Sequence, residues 1–273
     1  MLKWVQLVDY GSVSLTTATQ TQSDKIPRVL GSIVAFQIQA TNTATGTPAA
    51  PLTQIGCINE LKVTDVNRNT IFDIQGTDIP YLTYNNSTFG VFTTGQNVAT
   101  SAATDIYNLL WPVKVADQPL TISMTLDTLA VVTGGTSTVN TSDVVINVIY
   151  DDASDPNSSL RLTRNDNSLS SGTNDISNKF GQNLNTVHVA LRQTANADTN
   201  FTNVQFESAS QVQVENMTVN GFKAFEAIHT VSGHQAGFFP IPVNVPFVTT
   251  STSKLVITAG GSITVRLYQF YTA

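Results

Sequence analysis

Charge is scarce in this chain. Only 12% of its 273 residues are Asp, Glu, Lys or Arg, about half the usual share for a soluble domain. The 13 Lys and Arg are outnumbered by 19 Asp and Glu, for a net charge of −6, and no run of basic residues occurs. Neutralising nucleic-acid phosphates requires a basic patch or arm, so direct nucleic-acid binding is not expected. Cysteine is nearly absent. Cys57 stands alone, which excludes an intramolecular disulfide and leaves a cysteine-based metal site short of ligands. A small buried hydrophobe is the expected role. No stretch approaches the roughly 20 apolar residues of a membrane-spanning helix. The first ten residues, Met1 to Tyr10, hold no sustained apolar segment and no small-residue cleavage site, so no secretory signal is expected. Synthesis in the cytoplasm of the producing cell is the simplest expectation.

Apolar residues make up 41% of the chain, enough for a substantial core. The polar surface must then come mainly from Thr, Ser, Asn and Gln. Such a surface repels its neighbours weakly and loses little rotamer entropy on ordering. Both properties suit a protein that packs against copies of itself, although Thr-rich surfaces are common in β proteins generally. The dominant period is two. Val34, Phe36 and Ile38 alternate with polar or small residues. So do Ile122, Met124 and Leu126; Val187, Val189 and Leu191; Val212 and Val214; and Ile263, Val265 and Leu267. Each set predicts a strand with one buried face. Turn residues separate them: Asn67-Arg68-Asn69, Gly134-Gly135, Asn220-Gly221 and Gly260-Gly261. Helical signal is thin. Thr104 to Leu110 is the best candidate, with Thr104 as N-cap, and Leu2 to Val8 reads as a short turn or an extended arm.

Strands at short, regular spacing predict an all-β protein of sandwich or barrel type. Composition changes between Asp151 and about Lys179, a polar, breaker-rich stretch that reads as a linker. The predicted organisation is therefore an N-terminal arm and first β unit over 1–150, a polar linker over 151–180 and a second β unit over 181–273. From about Gly181 the second unit is short for eight strands, which requires tight loops or an earlier boundary. The halves correspond roughly. Leu61–Ile74 reads as strand, Asn-containing turn and strand, and Met217–Ile228 reads the same way. Trp111-Pro112-Val113, the strand at 122–126, the Gly134-Gly135 turn and a closing strand at 144–150 recur as Phe239-Pro240-Ile241, Leu255–Thr258, Gly260-Gly261 and Ile263–Tyr271. Such internal repetition predicts two similar barrels in tandem.

Two consecutive Greek-key barrels with very little helix resemble the double jelly-roll major capsid proteins of the adenovirus-like lineage, including those of small tailless bacteriophages with an internal membrane. The residues that carry the resemblance are Leu61-Lys-Val-Thr-Asp-Val-Asn-Arg-Asn-Thr-Ile-Phe, similar to an early barrel hairpin, and Leu255-Val-Ile-Thr-Ala-Gly-Gly-Ser-Ile-Thr-Val-Arg-Leu-Tyr-Gln-Phe-Tyr, similar to a closing one. Thr104–Leu110 falls where members carry a short helix between strands. The resemblance spans nearly the whole chain and is architectural. It implies a coat protein located in the virion capsid. It also implies homotrimeric, pseudo-hexagonal capsomers that tile an icosahedral shell, contacts with other virion proteins, and an N-terminal segment facing the interior, near a lipid membrane where one is present. Modest length and the lack of long loop insertions fit the smaller phage members.

Candidate sites are few. His188 is predicted on the polar face of a strand and His234 in a loop, and no nucleophile or metal-ligand spacing surrounds them or His229. No enzyme and no cofactor are therefore expected. Asp151, Asp152 and Asp155 cluster in the linker and could supply oxygen ligands to Ca²⁺. Their spacing differs from known calcium loops, and a solvated acidic turn is the preferred reading. Asn-x-Ser/Thr triplets such as Asn85-Asn86-Ser87 are expected by chance in this composition. Lys3 and Trp4 pair a cation with an amphipathic ring, as at a membrane–water interface; an arm packed on its own barrel or on a neighbouring subunit explains them equally. Trp111-Pro112 and Phe238-Phe239-Pro240 predict edge strands, barrel rims or subunit contacts, since proline cannot donate to a ladder. Two further functions are compatible with the fold: a receptor- or glycan-binding module of a phage fibre or adhesin, and a carbohydrate-active enzyme with two spaced carboxylates.

Overall fold

The structure is a computed structural model that describes residues 2–14, 20–45, 55–84, 104–126, 138–153, 156–195, 197–208, 211–229, 234–241 and 247–273. The described residues form two compact units, the first ending at Ser159 and the second running from Leu160 to Ala273. Among the described residues, no helix is long and apolar enough to cross a membrane.

The first unit has eight strands: β1 (Leu2–Ser14), β2 (Gln20–Ile26), β3 (Ser32–Thr45), β4 (Ile58–Thr64), β5 (Thr70–Ile74), β6 (Thr104–Val113), β7 (Leu120–Leu126) and β8 (Thr138–Asp151). They form two four-stranded antiparallel sheets, ordered β1-β8-β3-β6 and β2-β7-β4-β5. Period-two patterning builds both. In β7, Leu120, Ile122, Met124 and Leu126 are buried while the alternating Thr and Ser residues are not. The inward rows meet in an aromatic cluster. Phe72 packs edge-on against Phe36 at 5.2 Å and Trp111 at 5.1 Å, in the geometry the ring quadrupoles prefer. A short helix, α1 (Ile79–Tyr84), follows β5 and buries Ile79 and Leu82, three residues apart on one face.

The second unit repeats this plan. Its strands are β9 (Leu160–Leu169), β10 (Gly172–Asp175), β11 (Asn185–Gln193), β12 (Phe201–Ser208), β13 (Gln211–Thr218), β14 (Phe238–Ile241), the two-residue β15 (Phe247–Val248), β16 (Lys254–Ala259) and β17 (Ile263–Thr272). The sheets are ordered β14-β11-β17-β9 and β10-β16-β12-β13, with β15 added beside β11. Setting β15 aside and counting from one in each unit, both units read 1-8-3-6 and 2-7-4-5. That is the same Greek-key permutation twice, and each barrel inserts its helix between its fifth and sixth strands. In the second barrel this is α2 (Val219–His229). Its core includes Val189, Leu191, Phe206, Ile257, Val265 and Leu267, with Phe201 stacked on Phe239 at 3.9 Å and Phe222 of α2 packed beside both.

Several expectations change. The stretch 151–180 is not a linker: it contains β9 and β10, so the second unit begins at Leu160 rather than at 181. The polar sequence misled because Asn165 and Asn167 stand in register with the core residues Leu267 and Val265, on a face where apolar residues were expected. Their amides are satisfied locally, Asn165 donating to the Lys179 carbonyl and Asn167 to the Asn165 carbonyl. Thr104–Leu110 is part of a strand, not a helix. Tyr107, Leu109, Trp111 and Val113 are all buried at period two, and pairing with β3 overrides the local capping signal. Leu2–Val8 belongs to the edge strand β1, neither a turn nor a free arm. Asn220-Gly221 opens a helix instead of a turn. The Thr218 hydroxyl accepts the Gly221 amide at 3.3 Å as its cap, so the true counterpart of the β4–β5 hairpin is β12–β13. The Trp111-Pro112 and Phe239-Pro240 correspondence holds: both lie in β6 or β14, the sixth strand of each barrel and an edge of its sheet. The turns at Asn67-Arg68-Asn69 and Gly260-Gly261 form as expected, whereas Gly134-Gly135, Asn85-Asn86-Ser87 and Asp155 lie outside the described residues.

Candidate functional site

Among the described residues, a group of chemically capable side chains lies in the second barrel, around His234. Its Nδ1 is 2.7 Å from Glu226 Oε2, and its Nε2 is 2.9 Å from Asp198 Oδ1. Asp198 also accepts the Gly237 amide at 2.9 Å and pairs with Lys223 Nζ at 3.1 Å. Three elements meet here: α2 supplies Lys223 and Glu226, the β11–β12 loop supplies Asp198, and the segment entering β14 supplies His234 and Gly237. The sequence offered no local signal for this, because the partners are 8 and 36 residues from His234. The one hint was Glu226 lying four positions after the core residue Phe222, on the same helix face.

Burial and hydrogen bonding pull against each other in this group. Burial pushes the Glu226 carboxyl above its ordinary range, against the opposing pull of His234. Burial also disfavours the protonated His234 ring, but its hydrogen bonds to the two carboxylates outweigh that and raise it above the ordinary value of 6.5. Asp198 is lowered, since the Gly237 amide, His234 and Lys223 together overcome its own desolvation. Both ring nitrogens are engaged by carboxylates, so neither is directed at a substrate or metal. The arrangement braces α2 against the barrel. Among the described residues, no group of three or more His, Cys, Asp or Glu is placed to hold a metal ion.

The sequence-derived candidates do not converge. His188 is buried rather than on a solvated face, with its ring 5.3 Å from Phe270, and burial alone pushes it down to about 3. Lys3 donates to Asp152 at 2.6 Å, which holds the Asp152 carboxyl down at about 2. Asp151 accepts the Ala153 amide at 3.0 Å. The expected acidic turn is thus tied to the first residues of β1. Beside Lys3, Leu2 is 66% and Trp4 59% exposed, an apolar pair two positions apart on one face of an edge strand.

Two tandem eight-stranded barrels of identical strand permutation define the double jelly-roll fold. The chain is similar across its whole length to the STIV MCP (12% identity, 100% of this chain and 96% of that chain, TM-score 0.68). It is likewise similar to the major capsid protein P2 from bacteriophage PM2 (10%, 100% and 97%, 0.67) and to a chain of the Sulfolobus Turreted Icosahedral Virus structure (12%, 99% and 90%, 0.70). At these identities the likeness is one of fold. No family model and no curated protein matches the sequence.

Proposed function

We propose that the chain is a major capsid protein that self-assembles, as trimeric pseudo-hexagonal capsomers, into the shell of a virion. The observation that carries this reading is the duplicated barrel, since one chain holds two copies of the same permutation, each with its helix after the fifth strand. A trimer of such chains presents six similar barrels, which suits a six-fold lattice position with only three subunits. The likeness to capsid proteins over 100% of this chain and 96–97% of two of them supports it, as does the low-charge Ser/Thr surface. A structural role fits the histidine–carboxylate cluster, which braces α2. Leu2 and Trp4 on the edge strand β1 are assigned to contact with a neighbouring subunit or with a lipid membrane beneath the shell.

The test is direct. The purified chain is examined by size-exclusion chromatography with light scattering, then by electron microscopy after concentration. Trimers that form hexagonal tiles or closed shells are expected. A strict monomer that binds an oligosaccharide would overturn the proposal in favour of a glycan-binding module.

A further inference from the structure

Three of the chain's 13 basic residues line a single cleft of about 680 Å³ in the first barrel: Lys25 on β2, Lys62 on β4 and Arg68 in the β4–β5 turn. The cleft opens on the face of the β2-β7-β4-β5 sheet that points away from the core. Lys25, Thr121 and Thr64 stand in one cross-strand row, and Ser123 and Lys62 in the next. The residues that alternate with them in β7, Leu120 and Ile122, are buried. None of the three cationic side chains makes an ion pair or a side-chain hydrogen bond among the described residues. The one carboxylate lining the cleft, Asp65, is committed to its own turn. It accepts the Asn67 and Asn69 amides at 2.8 Å and the Asn69 side chain at 3.1 Å, and it is only 3% exposed. Those bonds hold the turn in the shape that puts Arg68 at φ 66°, a left-handed conformation.

In a chain this poor in charge, three cations without an ion pair among the described residues gather at one cleft, with Asp73 on β5 standing across from Lys62. Threonine hydroxyls between them add hydrogen-bond donors that lose little entropy on ordering. The ligand chemistry is an anionic oxygen group. Setting these three aside, 10 basic residues face 19 acidic ones in the rest of the chain, so the remainder of every other copy carries an excess of carboxylates.

We propose that this cleft receives a carboxylate-bearing surface of a second copy of the chain and so provides an electrostatic contact between subunits. The proposal rests on the self-assembly reading above and names the surface that serves it. Such a contact between exposed charges weakens progressively as salt is raised.

The test uses the full chain, with isotopically labelled and unlabelled copies mixed before assembly and then treated with a carbodiimide, which joins an amine to a carboxylate in direct contact. Mass spectrometry should find Lys25 or Lys62 joined to an Asp or Glu of a differently labelled copy, with the product lost at high salt. The Lys25→Gln/Lys62→Gln/Arg68→Gln variant should fold with an unchanged circular-dichroism spectrum and require roughly tenfold higher concentration to assemble, as loss of three exposed pairs implies. Wild-type-like assembly of this variant, with no intermolecular product at Lys25 or Lys62, overturns the proposal while leaving self-assembly intact. A chain that remains monomeric under all conditions takes down both readings. Saturable binding of a sulfated or sialylated oligosaccharide that is lost in the variant, without intermolecular products, also overturns it by giving the cleft to a different acid.

Discussion

The His234 imidazole lies 2.7 Å from the carboxylate of Glu226, a side chain with no solvent exposure. This pair ties the loop before β14 to α2, and it makes the second barrel sensitive to alkali. His234 is raised above 6.5 in the folded protein, so its stabilising contribution is complete below 6.5 and is lost as pH rises through the raised value. Glu226, also raised, acts in the same sense. Thermal denaturation followed across pH 6 to 9 should show a melting temperature that falls with pH. His234→Ala strands a buried carboxylate, and removing one partner of a buried pair costs about 3–5 kcal/mol. The variant should melt lower at pH 6 and show a flatter pH profile. An unchanged slope would remove His234 from the explanation.

His188 predicts the opposite limb. Burial holds it at about 3 against an ordinary 6.5. The unfolded chain therefore binds a proton that the folded chain refuses, and stability is lost as pH falls from 6.5 toward 3. His188→Gln removes the titrating group. Thermal denaturation followed by far-UV circular dichroism should then show the variant losing stability less steeply than the wild type as pH falls from 6.5 toward 3.

The strands were legible because most follow period two with one wet face. Ile122, Met124 and Leu126 were assigned to the core from spacing alone, as were Ile263, Val265 and Leu267, and all six are buried. The duplication was legible in its closing half, where Trp111-Pro112 and Phe239-Pro240 mark the sixth strands. It was illegible where long-range pairing decides. β9 buries amides beside core apolar residues, and β6 carries a helix-like start that its partner β3 overrules. Val34 was placed with Phe36 and Ile38, but a bulge between Ile33 and Ala35 shifts the alternation, and Ile33 is buried instead. The His234 cluster joins three segments by tertiary geometry, so no spacing rule could find it.

The acidic turn at Asp151–Asp152 is expected not to require calcium. Asp152 is engaged by Lys3 and Asp151 by the Ala153 amide, and a cation would have to displace these partners. Differential scanning calorimetry with millimolar Ca²⁺ and then with EDTA should give superimposable melting curves. A calcium-dependent rise in melting temperature would instead show a ligand that binds the folded state.

Gly76 precedes α1 where the backbone of residues 55–58 crosses close by. A Cβ there would stand 2.0 Å from the Ile55 carbonyl oxygen and 2.8 Å from that of Ile58, and both obstacles are main chain that cannot rotate away. Gly76→Ala must therefore push residues 55–58 outward. Overpacking of this kind costs about 1–3 kcal/mol. Cys57 sits between the two obstructing carbonyls and is 1% exposed in the native protein, so it reports the displacement. In the wild type its thiol should react with a maleimide only on unfolding, and in Gly76→Ala it should react under native conditions. The same labelling applied to His234→Ala at neutral pH should leave Cys57 protected, because that substitution acts within the second barrel and Cys57 lies in the first. Equal exposure of Cys57 in both variants would show that the two barrels unfold as one unit.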